Sequence, residues 1–439
     1  MRIRELSGKN ICILGFGKEG QATLKALEEY APGCEVTVAD QNEHVALPDR
    51  SKHWLQVGTG WLHNLDRFDV LIKSPGIPPS SKLKAQSSKL TTPTQIFFDS
   101  IQDSGATVIG VTGSKGKSTT SSLIHHILQA NCQLPIANSH LIGNIGDPAI
   151  AHLKEANLNT IFVHELSSYQ LMDLTVSPAV AVVTSFFPEH LDYHGSLETY
   201  KEAKRHIARF QKKDDVIFFA KDSAGAREIA QESHGKHIPF STGDAPLQIE
   251  ETKLIGTHNL SNIAAAFLVS QHLSVPKDTA IEAIKTFTPL PHRLQSLGVR
   301  NGLEWVDDSI STTPDSAIAA LDALGDRVKT MLLGGQDRGL DFSPLAKRLQ
   351  SSSVRTAILF PGSGKRIRTA IAQSAAGIHC FEVTSMEEAV TIAKQCTHSS
   401  QLTAHSSPII LLSPASPSYG MFKNFEERGD RFRQCIEKR

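Results

Sequence analysis

No run in this chain approaches the roughly 18 consecutive apolar residues that a membrane-spanning helix needs, and Met1-Arg2-Ile3-Arg4-Glu5-Leu6 has no long apolar region behind it. Neither a transmembrane anchor nor a secretory leader is expected. An excess of charge is also missing: 45 Lys plus Arg stand against 45 Asp plus Glu, so no global field recruits nucleic acid or an acidic membrane. The six cysteines, Cys12, Cys34, Cys132, Cys380, Cys396 and Cys435, contain no Cys-x-x-Cys pair, which argues against a structural zinc site and for a reducing compartment. There is no internal repeat and no low-complexity tail, and Ser351-Ser352-Ser353 reads as a surface turn. What these absences leave is a soluble, cytoplasmic α/β protein. At 439 residues it is too long for one ordinary core, so about three domains are expected.

What is present is organised around Gly110-Val111-Thr112-Gly113-Ser114-Lys115-Gly116-Lys117-Ser118-Thr119-Thr120. An apolar run, Thr107-Val108-Ile109, precedes it and an amphipathic segment, Ser121 to Leu128, follows. Strand, glycine loop and helix in that order turn backbone N–H groups toward a phosphate chain. Gly113 and Gly116 let the backbone come close, Lys117 can reach the terminal phosphates, and Ser118 can ligate Mg²⁺. The match to the general P-loop pattern is imperfect, because Val111 or Thr112 replaces the usual first glycine unless Gly110 is counted.

A second nucleotide motif stands near the N-terminus. Ile11-Cys12-Ile13-Leu14 reads as a buried strand, Gly15-Phe16-Gly17-Lys18-Glu19-Gly20 follows as G-x-G-x-x-G, and a helix-forming run extends to Tyr30. The next strand, Glu35 to Ala39, ends at Asp40, about twenty residues beyond the last glycine, which taken alone is a dinucleotide fingerprint. The same geometry would hold any pyrophosphate. A third strand, Asp69 to Lys73, runs into the tight turn Ser74-Pro75-Gly76-Ile77-Pro78.

After Thr92-Pro93-Thr94 the middle part begins. It contains the P-loop, Gly143-Asn144-Ile145-Gly146, a strand Thr160 to Val163 leading into His164-Glu165-Leu166-Ser167-Ser168, and a strand Val180 to Thr184 leading to Pro188-Glu189-His190-Leu191-Asp192. An acid at a strand end downstream of a P-loop is where a Mg²⁺ partner belongs. A helix follows with Tyr200, Ala203, His206 and Ile207 on one face and Lys204 beside them. Gly256 to Asn262 opens an alanine-rich helix, and Pro289-Leu290-Pro291-His292-Arg293 reads as a stiff connection. Beyond it, strands at Thr330–Leu333, Thr356–Phe360 and Ile409–Leu412 suggest a third α/β unit.

Taken together, Val111 to Thr119, Gly143 to Gly146, Glu165 to Leu171, His190 to Asp192, Gly256 to Asn262 and His292-Arg293 resemble the Mur ligases, in that order along the chain. Leu412 to Ser416, Phe422 to Gly429 and Asp341 to Leu345 resemble most the glutamate-adding branch. The resemblance implies three domains: a Rossmann-like UDP-sugar domain at 1–95, a P-loop ATPase with a mostly parallel sheet at 96–293, and a Rossmann-like amino-acid domain at 294–439. It implies an acyl-phosphate reaction joining glutamate to UDP-N-acetylmuramoyl-L-alanine, with ATP as co-substrate. Lys117, Glu165, His190 and Lys204 would be catalytic. ATP contacts would come from Gly113, Ser114, Lys115, Gly116, Lys117, Ser118, Thr119, Asn262, Arg293 and Asp308. Gly17, Lys18, Ser74, Asn144 and His190 would contact the UDP-sugar, and Thr312, Arg338, Ser418 and Phe425 the glutamate. Two Mg²⁺ sites are implied, drawing on Ser118, Glu165, His190 and a carbamylated Lys204; a monomer is expected.

The chain departs from the pattern at Asp307-Asp308-Ser309-Ile310-Ser311-Thr312-Thr313, where Ile310 and Thr313 replace a lysine and an asparagine; Ser185 replaces an asparagine, and Arg338 stands where some members have lysine. D-glutamate is the default expectation, with an L-glutamate branch as the alternative. An NAD-dependent oxidoreductase, and a P-loop module without ligase activity, are the readings from other classes.

Overall fold

Along Asn10–Leu14 (β1) the side chains alternate between two apolar clusters. Ile11 and Ile13 pack with Leu24, Leu27 and Val36, whereas Cys12 and Leu14 pack with Phe68, Leu71 and Leu83. A strand covered on both faces belongs inside a parallel sheet. β1 lies between Glu35–Asp40 (β2) and Val70–Lys73 (β4), with Trp54–Val57 (β3) and Leu90–Thr91 (β5) at the edges, in the order β3-β2-β1-β4-β5. The order reverses between β1 and β4, and ligands of open α/β sheets bind at such a point.

The second sheet is also wholly parallel. It contains Thr107–Thr112 (β6), Asn138–Gly143 (β7), Thr160–Glu165 (β8), Val180–Val183 (β9), Val216–Ala220 (β10) and Lys236–Phe240 (β11), ordered β11-β10-β9-β6-β8-β7. The third has Gln295–Arg300 (β12), Leu303–Asp307 (β13), Val328–Gly335 (β14), Thr356–Gly362 (β15), His379–Glu382 (β16) and Ile409–Leu412 (β17), ordered β12-β13-β17-β14-β15-β16. Only its β12–β13 pair is antiparallel.

This computed structural model describes residues 1–49, 52–131, 138–374, 377–397 and 407–437; Cys132 lies outside them. The chain divides into two compact units, one of Met1–Gln248 with His258–Thr286, the other of Ile249–Thr257 with Phe287–Arg439. The first holds two of the sheets and the second holds the third. Helices start where the sequence supplies caps: Thr92 accepts the Gln95 N–H ahead of Pro93–Ile101, and Thr313 accepts the Ser316 N–H ahead of Pro314–Leu324. Among the described residues, no helix is long and apolar enough to cross a membrane.

Candidate active site

β6 ends at Thr112, and the helix Lys117–Ala130 begins after a four-residue loop. The two glycines of that loop are required by geometry. Gly113 has φ 152°, and a Cβ there would lie 2.0 Å from Thr184 Oγ1. Gly116 has φ 87°, and its Cβ would lie 2.4 Å from Asn262 Oδ1. The residues following β9 hold the loop from the side: Lys115 N–H donates to Ser185 Oγ (2.8 Å), and Thr184 Oγ1 donates to Lys115 O (2.6 Å). Asn262 accepts from Thr120 Oγ1 (3.2 Å) and is fixed by Asn259 (2.9 Å), so this expected ATP contact does sit on the P-loop. Ser114 lies under Phe187 and Tyr200, and Thr119 is buried in the first turn of the helix, next to Ser118.

Two lysines converge on Gly113. Lys117 Nζ donates to Gly113 O (2.8 Å) and Ser114 O (2.9 Å). Lys204 Nζ, on the helix Leu197–Arg209, donates to the same Gly113 O (2.9 Å) and to Thr112 Oγ1 (3.2 Å). Lys204 is only 1% exposed, and its ammonium lies 4.9 Å from the Tyr200 ring centre. Burial, then the charge of Lys117, pushes its pKa well below the ordinary lysine value, with Glu189 and Glu165 opposing. The outer lysine, Lys115, is exposed and pairs with Glu189 (2.7 Å).

Glu165 ends β8 fully buried. Its Oε1 accepts from Asn144 Nδ2 (2.8 Å), while Oε2 has no hydrogen-bonding partner among the described residues. An orphaned, buried, anionic oxygen is what a divalent cation would satisfy. Among the described residues no three His, Cys, Asp or Glu side chains form a ready metal cage. His190 is exposed and has φ 55°, uncommon for a non-glycine residue, with its ring 5.2 Å from Tyr169 and 6.1 Å from Tyr200.

At the first glycine loop, Gly17 and Lys18 are exposed at the start of the helix Lys18–Tyr30. Asp40 Oδ2 accepts the Phe16 N–H (2.7 Å), and Ser74 Oγ donates to Gly15 O (3.0 Å). Asp40 therefore holds the loop itself. Burial pushes the Glu19 carboxyl up to about 6, although Gln170 donates to it at 3.2 Å.

The remaining expected residues lie in the second unit. Asp308 is buried, accepts from Leu294 N–H (3.2 Å), Ser311 Oγ and Ser413 Oγ (2.8 Å), and is pushed up to about 6 by burial. Arg293 sits between His292 (φ 61°) and Leu294 (φ 42°), and His292 Nδ1 is 2.7 Å from Asp307. Ser418 is buried, Arg338 exposed, and Thr312 and Phe425 half-buried; Ser309 Oγ donates to Phe425 O (2.8 Å). Thr313 caps a helix, which gives the departure at that position a structural role.

Three residues of the P-loop's surroundings were not among the sequence candidates: Thr112, Thr184 and Tyr200. Tyr200 and Lys204 are four residues apart on one helix and therefore share a face, which was the available clue. Nothing in the spacing marks Thr112 or Thr184, since their roles come from strand pairing.

Residues 111–250 match the Mur ligase middle domain family, and residues 292–405 the Mur ligase glutamate ligase domain family. A UDP-N-acetylmuramoyl-L-alanine–L-glutamate ligase of Salinispora tropica is 36% identical, over 99% of this chain and 99% of that protein. A UDP-N-acetylmuramoylalanine–D-glutamate ligase of Streptococcus sanguinis is 32% identical, again over 99% of each. Among solved structures, the UDP-N-acetylmuramate-alanine ligase of Thermotoga maritima superposes with a TM-score of 0.61 at 17% identity, covering 98% of this chain and 99% of that one.

Proposed function

The chain belongs to the Mur ligase family, and from that premise we propose that it joins L-glutamate to UDP-N-acetylmuramoyl-L-alanine. It is an ATP-dependent, ADP-forming ligase of peptidoglycan precursor synthesis. The observation that carries the chemistry is the convergence of Lys117 and Lys204 on Gly113 O, with Glu165 near enough to act electrostatically on Lys204.

A carboxylate is a poor acyl donor. In the first step a carboxylate oxygen of the nucleotide-peptide attacks the γ-phosphorus of ATP, ADP leaves, and an acyl phosphate forms. Such a transfer needs alignment and charge neutralisation more than covalent help from the protein. Lys117 would exchange its loop carbonyls for phosphate oxygens, and Ser114, Lys115, Gly116 and Thr119 would frame the chain of phosphates together with Asn262. Arg293 and Asp308 are the further residues that the family resemblance implies for ATP. In the second step the neutral amine of glutamate attacks the acyl carbon, giving a tetrahedral intermediate that expels phosphate and releases a proton.

Bound Mg²⁺, at two sites held by Ser118, Glu165, His190 and carbamylated Lys204, would neutralise the phosphate oxygens. Lys204 suits carbamylation because a buried lysine whose pKa is depressed has a free amine to attack CO₂, and the carbamate replaces a cation by an anion. Gly17, Lys18, Ser74, Asn144 and His190 would hold the UDP-sugar, and Thr312, Arg338, Ser418 and Phe425 the glutamate. The three domains would run 1–95, 96–293 and 294–439, in a cytoplasmic monomer.

The choice of L-glutamate departs from the default drawn from sequence. It rests on the altered 308–313 segment and on the L-glutamate enzyme matching at 36% against 32% for the D-glutamate one. Comparing kcat/KM for the two enantiomers tests it. A preference of about 10²-fold corresponds to almost 3 kcal/mol of differential transition-state binding. A preference of that size for D-glutamate rejects the L-glutamate assignment, and no ADP release with either enantiomer rejects the ligase reading.

A further inference from the structure

Lys73 ends β4 after Val70-Leu71-Ile72 and is 2% exposed, at a position where a fourth apolar residue would fit the strand's surroundings. A buried ammonium is costly unless paired, so its presence asks for a reason. Its Nζ lies 2.8 Å from Asp173 Oδ2 and donates to Ile77 O at 3.3 Å. Asp173 follows the short helix Ser168–Leu171, which begins three residues after Glu165. The Tyr193 hydroxyl reaches the same turn, 2.9 Å from both Pro75 O and Ile77 O. Tyr193 belongs to Leu191–His194, directly after His190, and its ring packs on Tyr169 at 4.3 Å. The turn so held is the one whose Ser74 donates to Gly15 of the first glycine loop.

We infer that Lys73 is a positioning residue for the sugar-nucleotide: with Asp173 it fixes the Ser74–Ile77 turn against the first glycine loop and ties that turn to the segment that follows Glu165. Its donors, with that of Tyr193, engage carbonyl oxygens of the turn whose lone pairs would otherwise be available to oppose an anionic diphosphate. The pair also sets the distance between the place where the nucleotide is gripped and the place where its far carboxylate must meet ATP. A 1 Å misplacement at this kind of joint is felt at the reacting atoms. The inference rests on the reading of the first glycine loop as the UDP-sugar site.

The test separates the two. Calorimetric titration of wild type with UDP-N-acetylmuramoyl-L-alanine establishes whether that ligand binds; no binding would reject the reading of the site and Lys73's role with it. KM for each substrate, kcat and Tm are then measured for Lys73→Met, Lys73→Arg, Asp173→Asn and the Lys73→Met/Asp173→Asn double variant. Lys73→Met should raise KM for the UDP-sugar about tenfold, leaving KM for ATP and glutamate within about twofold of wild type. Asp173→Asn should act in the same direction, the double variant should be no worse than Lys73→Met, and Lys73→Arg should recover most of the loss. An unchanged UDP-sugar KM in Lys73→Met overturns the inference even though wild type binds the ligand. An equal rise in all three KM values also overturns it, because a merely structural lysine would act that way. Should Lys73→Met fail to fold, Asp173→Asn decides, and a wild-type UDP-sugar KM in that variant is fatal.

Discussion

The two glycine loops share one backbone plan, strand to glycine turn to helix, and differ in what surrounds it. The first has acids beside its exposed Lys18: Asp40 takes the Phe16 N–H, and Glu19 lies half-buried at the helix start with its carboxyl pushed up to about 6. The second draws in Lys117 and Lys204, both on Gly113 O. A diphosphate already esterified at both ends carries less charge than the triphosphate of ATP, and Lys117 at the second loop matches the larger charge proposed there, while a carbamylated Lys204 would serve a metal rather than the phosphates. The motif specifies the shape of a phosphate cradle, and its neighbours specify how much negative charge it will take.

The largest expected effect comes from stripping the second loop. Lys117→Ala should cut ADP release by about 10³-fold, because the ammonium held on Gly113 O and Ser114 O is the one proposed to meet the transferring phosphate. Calorimetry should still detect UDP-sugar binding, since that grip is proposed for the other loop. Near-normal turnover in this variant would erase the contrast between the loops.

Next in size is Lys204→Ala, expected to lose roughly 10²-fold in kcat and to recover part of it with an added short-chain carboxylic acid, which supplies the missing anionic group. Full activity without rescue would reduce Lys204 to a packing residue. At the first loop, Asp40→Asn weakens a charge-assisted bond to Phe16 N–H and should raise KM for the UDP-sugar roughly tenfold, with KM for ATP unmoved. Equal effects on both substrates would mean that the loops are not independent.

The smallest effect sharpens the same comparison through pH. Because the folded-state pKa of Glu19 is raised from 4.5 to about 6, the folded protein keeps a proton that the unfolded chain has released between those values. Stability is therefore lost as pH rises across that window, by up to about 2 kcal/mol, and is level on either side of it. Glu19→Gln should flatten that slope in denaturant titrations, while an unchanged slope would assign it to another group.

How much of this could be read from the chain depended on where a strand lies in its sheet. β1, β4, β6, β8, β9, β14 and β17 are buried on both faces and advertise themselves as continuous apolar runs. The edge strands β11, β12 and β16 are largely exposed, with only Leu297 and Val299 apolar in Gln295–Arg300, and their pairing is imposed by a neighbour rather than by their own pattern. Val216-Ile217-Phe218-Phe219 of β10 is apolar in the same way, yet it is not among the strands named from the sequence. In the site, the P-loop and Glu165 were legible because loop chemistry is local. That Lys204 is buried against Thr112, and that Thr184 braces Gly113, follows only from the parallel register of β6 with β9 and the helix laid across them. Thr313 is the converse: a departure from the family pattern that the fold uses as a helix cap.

The third sheet has a consequence for how the protein is made. β17 is the last of its six strands in the chain, yet it lies in the middle, between β13 and β14. During synthesis from the N-terminus, β13 and β14 therefore emerge with facing edges unpaired and must wait for Ile409–Leu412 to fill the gap. Until then each edge is a template for strands of other nascent chains, and slow, long-range closure prolongs the exposure. The same late stretch brings Ser418 and Phe425, so a chain whose synthesis stops before β17 does not yield a slower enzyme; it yields an open sheet that proteases and chaperones will claim.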